Sequence, residues 1–262
     1  SSRPTGRTFS RSTELRLLRA IPGWWLALLL AVLTFPVLLL QARKLRAEIP
    51  RVGAAPGPAS GVVGGDPPTV TVLGFGDSVI AGTGLGRVED TVTPVLAAAL
   101  AERRGGAVAW SAHGVDGDKI ADMLPRVPLL PRTSSTSEVI LLVSVGVNDV
   151  TGLTSLLRFQ TGLFDLITGL HQRWPRARIL LMGLPSLGRF PGVPWPLRTF
   201  MGARARLLDA VVERTAEIME HTSHLDMHAR FDASMMADDG VHPDANAHRS
   251  IAEALLQKVE SR

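Results

Sequence analysis

The stretch TVTVLGFGDSVIAGTGLG, Thr69–Gly86, sets the frame for the chain. A β-branched and apolar run, Thr69–Phe75, breaks abruptly at Gly76-Asp77-Ser78, and glycines recur at Gly82, Gly84 and Gly86. This is how a buried strand entering a tight turn reads. Taken alone, Ser78 is a turn or capping serine. Further strand-like runs follow at AVAWSAH (107–113), EVILLVSV (138–145), ARILLMGLP (177–185) and, more weakly, HLDMHARF (224–231). Helical patterns lie between and after them, at 93–106, 118–127, 153–175, 199–222 and 243–260. The glycine pair 105–106 suits a C-terminal stop, and Pro243 stands in the early helical position that proline tolerates. Such alternation predicts an α/β fold whose parallel sheet is covered on both faces. In sheets of this kind ligand groups gather outside the carboxyl ends of the strands.

The 262 residues suffice for one substantial core, and no repeat of solenoid or propeller period is present. With no cysteine, disulfides and thiolate metal sites are excluded. The net charge of +4 invites a nucleic-acid reading, but its location argues against one. Of the 28 Lys/Arg and 24 Asp/Glu, nine and three lie in residues 1–68, leaving 19 and 21 for the rest. The main domain is thus near neutral and lacks the clustered cations that a phosphate backbone requires.

The basic tail, residues 1–20, precedes IPGWWLALLLAVLTFPVLLL, Ile21–Leu40, which contains no charged residue. A helix of that length would span roughly 30 Å, the thickness of a bilayer's hydrocarbon core. Trp24 and Trp25 stand near one end, and Pro36 is expected to kink the helix without ending it. The segment is therefore expected to be a single-pass membrane anchor. A cleaved signal peptide fits less well, because its apolar region is shorter and small residues, not ARKLRAE, follow it. A buried soluble helix rarely needs so long an uncharged run. Five arginines on the N-side (Arg3, Arg7, Arg11, Arg16, Arg19) and four cations on the C-side (Arg43, Lys44, Arg46, Arg51) leave the orientation undecided. Residues 41–68, rich in Ala, Gly and Pro, read as a flexible linker, so the folded domain is expected to occupy 69–262.

Four segments fall where a parallel sheet would collect its chemistry: Gly76-Asp77-Ser78, Gly114 in HGVDG, Asn148 in GVND, and DDGVHPD just before the last helix. A serine hydrolase needs a nucleophile, an imidazole to accept its proton, a carboxylate to hold the ring, and donors aimed at the developing oxyanion. Ser78, His242 and Asp239 supply the first three. The Ser78 N–H, the Gly114 N–H and the Asn148 side-chain amide are candidate oxyanion donors. Asp238 competes with Asp239 as the carboxylate. Asp77 and Asp149 read as local structural groups, as do the other six histidines: His113, His171, His221, His224, His228 and His248. The G-x-S-x-G elbow is absent, the dinucleotide fingerprint lacks its third glycine, and no glycine run is followed by G-K-[S/T].

These four blocks resemble those of the SGNH hydrolases, the GDSL esterases and lipases. That family is named for Ser, Gly, Asn and His in separate blocks, here Ser78, Gly114, Asn148 and His242. Its D-x-x-H pattern is met by Asp239–His242, which disfavours Asp238. Val79 stands where the name-giving motif has Leu, a packing position. The resemblance spans 76–242. It implies a three-layer α/β/α sandwich with a five-stranded parallel sheet in flavodoxin-like order, and ester or thioester hydrolysis without metal or other cofactor.

On that basis the expected activity is a serine esterase, with an acyl ester or lipid as substrate. The proline-rich segment 184–200 is long for a structureless loop and a candidate binding wall. Phe190, Trp195, Leu197 and Phe200 are candidates for an acyl pocket, and Arg189 and Arg198 for meeting a phosphate or carboxylate. Alternatively, these aromatics only pack the loop onto the domain. Membrane tethering favours an esterase or lysophospholipase. An extracytoplasmic anchored domain equally suits a deacetylase of sugars or cell-wall polymers. A binding module on the same scaffold, with vestigial hydrolysis, is the reading from another class.

Overall fold

The computed structural model describes residues 11–48, 52–65, 67–133, 138–190, 192–228, 233–237 and 239–261. Arg3, Arg7, Arg51, Asp238 and the 229–231 end of the weakest strand-like run lie outside the described residues. The strands are β1 (Ser60–Val63), β2 (Val70–Gly76), β3 (Val108–Gly114), β4 (Glu138–Ser144), β5 (Arg178–Met182) and β6 (Thr222–Leu225). The helices are α1 (Arg11–Leu33), α2 (Phe35–Glu48), α3 (Ser78–Ala81), α4 (Val92–Arg104), α5 (Ile120–Met123), α6 (Val147–Thr151), α7 (Leu156–Arg173), α8 (Leu197–Ile218) and α9 (Ala245–Glu260).

The sheet runs β1-β3-β2-β4-β5-β6, with β3, β2, β4, β5 and β6 all parallel. Counting the parallel strands alone, the order is the flavodoxin-like 2-1-3-4-5. Alternate residues feed two cores. Phe75, Val143 and Leu181 face α5, α7 and α8, whereas Val72, Leu142 and Leu180 face α4 and α9. The chain leaves β2 for β3 on one side and returns to β4 on the other. The crevice at that reversal opens at the end of β2, where Gly76-Asp77-Ser78 stands.

The expected five-stranded parallel sheet is therefore a six-stranded mixed one. Ser60–Val63, read from sequence as linker, pairs antiparallel with β3 in the register Ser60↔Ser111 to Val63↔Val108. The strand covers what would otherwise be a free sheet edge. Gly61 is the one residue that fits there, since a Cβ at that position would lie 2.9 Å from Trp110 Nε1. Pro243 also differs from expectation. Asp244 is the cap of α9, its carboxylate accepting the Ala247 N–H at 2.7 Å, so Pro243 precedes the helix and instead bridges to Met236.

The apolar run Ile21–Leu40 is not one straight transmembrane helix. It is divided between α1 and α2, with Ile21–Leu33 and Phe35–Leu45 bent by 91°. Pro36 has no N–H to donate, and its ring crowds the carbonyl four residues back. Thr34, at the break, turns its hydroxyl onto Leu30 O at 2.6 Å. Among the described residues no single helix is long and apolar enough to cross a membrane, although the bent pair passes that test together. The pair rests on the domain at defined points. The Trp24 ring lies 5.6 Å from that of Phe200, with the Arg204 guanidinium 5.9 Å over it. Gln41 donates to Trp195 O at 2.7 Å and accepts the Leu197 N–H at 3.2 Å. Ala27 and Leu38 are buried, while Trp25, Leu26, Leu29 and Leu33 are exposed.

On the opposite face, α9 ties down α4 through a buried histidine. The Val92 N–H, at the start of α4, donates to His248 Nδ1 at 3.0 Å. That nitrogen must stay unprotonated. Burial pushes the His248 pKa down to about 4 from the ordinary 6.5. As pH falls from about 6.5 to about 4, the unfolded chain takes up a proton that the folded chain refuses, so stability drops across that window and levels off below it. His248→Asn keeps an acceptor but does not titrate. Urea unfolding over that pH range should show a shallower acid slope in the variant, and parallel slopes would contradict this assignment.

Candidate active site

The turn after β2 is held by a buried carboxylate. Asp77 Oδ1 accepts the Ser144 hydroxyl at 2.7 Å and the Val79 N–H at 3.2 Å. The first bond fastens the end of β4 to the end of β2. The second caps α3, at whose first position Ser78 stands. Gly82 closes this short helix in the left-handed conformation, at φ 64°. Gly114 ends β3 in register with Gly76 and packs directly against the backbone of Ile80 and Ala81, so no side chain fits there.

The other end of the site is the loop before α9. Asp239 Oδ2 lies 2.7 Å from His242 Nδ1, and Oδ1 accepts the backbone N–H groups of Val241 and His242, each at 2.9 Å. Burial works to raise the Asp239 carboxyl, but these donors prevail and hold it below the usual carboxylate range. An ionised carboxylate only accepts, so the proton between them sits on Nδ1, and Nε2 is the ring nitrogen turned away from Asp239. His242 borders the cavity that also contains Ser78, and its Nε2 lies 3.8 Å from Asp116 Oδ1. No hydrogen bond joins Ser78 to His242 in this arrangement. The half-exposed Asp116, which sequence reading passed over, is the anionic neighbour of Nε2.

Asn148, in α6, also borders the cavity and donates one amide hydrogen to Asp118 O at 3.0 Å, leaving the other for a ligand. Its neighbour Asp149 is fully buried and accepts the Ile120 N–H at 3.1 Å, bracing the loop. From α8, the buried Arg204 donates to Val150 O at 3.2 Å and to Thr154 O. Because the same guanidinium lies over Trp24, it links the GVND segment to the N-terminal helices. Sequence reading offered no signal for this, since Arg204 is one of several arginines on a helix that looks simply amphipathic.

The cavity measures about 1130 Å³. Ser78, Asn148 and His242 border it, whereas Gly114 and Asp239 stand behind its wall. Of the four residues expected to form an acyl pocket, Phe190, Leu197 and Phe200 line it. Trp195 does not. Its ring is exposed, and the residue meets α2 through its carbonyl. Arg189 is exposed, Arg198 is half-buried, and neither borders the cavity. Among the described residues no cluster of three His, Asp or Glu could hold a metal ion.

Burial raises the Asp77 pKa above its ordinary 3.8, against the pull of the Ser144 and Val79 bonds. The folded chain therefore holds this proton more tightly than the unfolded one. The cost of ionising it appears as pH rises through the usual carboxylate range and is complete above the folded pKa. Asp77→Asn retains the acceptor without that cost. Its stability relative to wild type should climb as pH rises from about 4 and then level off. A pH-independent difference in urea unfolding would refute this.

The profile of the GDSL-like lipase/acylhydrolase family matches residues 75–250. No match to a curated protein was found. Solved structures similar to the chain include TesA, at 22% identity and TM-score 0.54, covering 72% of this chain and 98% of that one. An acetyl xylan esterase variant from Geobacillus stearothermophilus aligns at 19% identity and TM-score 0.51, covering 74% and 95%. A lipase/acylhydrolase from Enterococcus faecalis aligns at 20% identity and TM-score 0.53, covering 72% and 95%. At these identities the structures speak for the fold, while the profile spans all four sequence blocks; the chain belongs to the GDSL-like lipase/acylhydrolase family.

Proposed function

We propose that the protein is a serine esterase acting on acyl esters of lipid character through Ser78, His242 and Asp239. The observation that carries this reading is the 2.7 Å contact between Asp239 and His242 Nδ1, which leaves Nε2 as the imidazole nitrogen available to Ser78, with both residues bordering one cavity. In the proposed reaction, Ser78 Oγ attacks the acyl carbon and its proton passes to His242 Nε2. The oxyanion is met by the Ser78 N–H and the Asn148 amide, which border the cavity, whereas Gly114, the third donor expected from the sequence, does not line it. Collapse of this intermediate breaks the ester bond, and the departing alcohol takes the proton from His242. Water then attacks the acyl-enzyme by the same route, releasing the acid and restoring Ser78. Asp239 keeps the imidazole in the productive tautomer and steadies its charge.

The cavity favours a lipid over a sugar ester. Its polar lining comes from Asp77, Ser78, Asp116, Ser144, Asn148, Thr151 and His242, and the larger share of its wall is apolar. A carbohydrate hydroxyl placed there would lose water without gaining a partner. The exposed apolar face of α1 and α2 supports a further part of the reading, that the pair seats the enzyme on a membrane.

Ser78→Ala should abolish hydrolysis of p-nitrophenyl butyrate and labelling by a fluorophosphonate probe. Asp239→Asn should lower kcat by roughly 10⁴-fold, through the wrong imidazole tautomer. Wild-type turnover or labelling in Ser78→Ala would refute the assignment. A wild-type protein that neither turns over nor labels would favour the binding-module reading.

A further inference from the structure

The segment that reads as a membrane anchor also builds part of the site. Leu28, Val32, Phe35, Leu39, Ala42 and Leu45, all from α1 and α2, line the cavity that Ser78 and His242 border, Val32, Phe35, Leu39 and Ala42 being exposed where they do so. Phe190, Leu197 and Phe200 form part of the remaining wall. From the 91° bend between α1 and α2, together with the Gln41 and Trp24 contacts that dock them, we infer that the helix pair is the acyl-chain wall of the active site. It receives one long, unbranched acyl chain and so selects long-chain esters. This inference rests on the esterase reading above.

Three observations commit the cavity to that occupant. Its volume of about 1130 Å³ exceeds the roughly 300–1,000 Å³ of typical small-molecule sites. Its charged and hydrogen-bonding groups (Asp77, Ser78, Asp116, Ser144, Asn148, Thr151, His242) belong to the strand ends, the loops that follow them and α6. The helix pair contributes only apolar side chains to the lining. A ligand that matches both regions has an ester at one end and hydrocarbon at the other. The outer faces of the same helices, at Trp25, Leu26, Leu29 and Leu33, are apolar and exposed as well, so a chain leaving a bilayer would meet hydrocarbon-like surface all the way to Ser78.

Full-length protein in detergent should be assayed with p-nitrophenyl laurate and butyrate, comparing wild type, Val32→Trp, Ala42→Trp and the outward-facing Leu33→Trp. Filling space equal to two or more methylenes should lower the laurate-to-butyrate ratio of kcat/KM by about tenfold or more in Val32→Trp and Ala42→Trp. Leu33→Trp should leave the ratio unchanged. In parallel, cis-parinaric acid should bind the Ser78→Ala protein and bind it about tenfold more weakly when Ala42→Trp is added. Ester turnover with an unchanged ratio and unchanged parinaric binding would overturn the inference while leaving the esterase reading intact. Parinaric binding that weakens as expected, in a protein that hydrolyses no ester, would support the acyl wall and overturn the esterase reading.

Discussion

The hydrogen bond from the Ser144 hydroxyl to the buried Asp77 carboxylate organises the centre of this molecule. It joins the ends of two adjacent parallel strands at the point where the chain reverses its direction across the sheet. The same carboxylate caps the turn carrying Ser78, so one side chain sets both the strand ends and the position of Ser78. Burial makes the ionised form of Asp77 costly, and the Ser144 and Val79 donors offset that cost only in part. With this clasp set, β3 brings Gly114 against the same turn from one side and β4 leads to Asn148 on the other.

A second theme is the two-sided use of the N-terminal helices. An apolar segment of this length ordinarily has one task, to satisfy hydrocarbon around its whole circumference. Here the break at Thr34 divides it, and the halves turn so that some apolar side chains line the cavity, Val32 and Phe35 among them while still exposed, and others, such as Trp25 and Leu33, do not line it. Polar contacts fix the arrangement where packing alone would let two apolar helices slide, notably the pair made by Gln41 with Trp195 and Leu197. Arg204 extends the connection by holding the GVND loop with its N–H groups and meeting Trp24 with its face. On the proposed reading, the element that seats the enzyme on lipid also shapes what the enzyme accepts.

The α/β class, the first four parallel strands and the position of Ser78 at a strand end were legible because a strand buried on both faces is a nearly unbroken apolar run, whereas the fifth, expected over 224–231, is a strand at Thr222–Leu225 and only partly buried. Val139–Val143 is such a run, and periodicity needs no tertiary information to find it. The edge strand Ser60–Val63 was not legible. Four residues between glycines and prolines have no period to read, and they become a strand only because β3 offers a free edge. Trp195 and Phe200 looked equivalent as candidate pocket residues. Their different fates follow from which way the loop turns, which composition does not encode.

By itself, the sequence determined the alternation of the parallel strands with the longer helices, the four blocks that carry the candidate chemistry, and the carboxylate three residues before His242, because each depends on local pattern or short spacing. It also marked Ile21–Leu40 as apolar and Pro36 as its weak point. Only the tertiary structure decided that the break turns the chain through 91° and brings residues from Leu28 to Leu45 over the same cavity as Ser78. That placement depends on contacts between residues far apart in the chain, Trp24 with Arg204 and Gln41 with Trp195. No window of sequence contains both partners of either contact, so the wall they hold in place becomes visible only once the chain is folded.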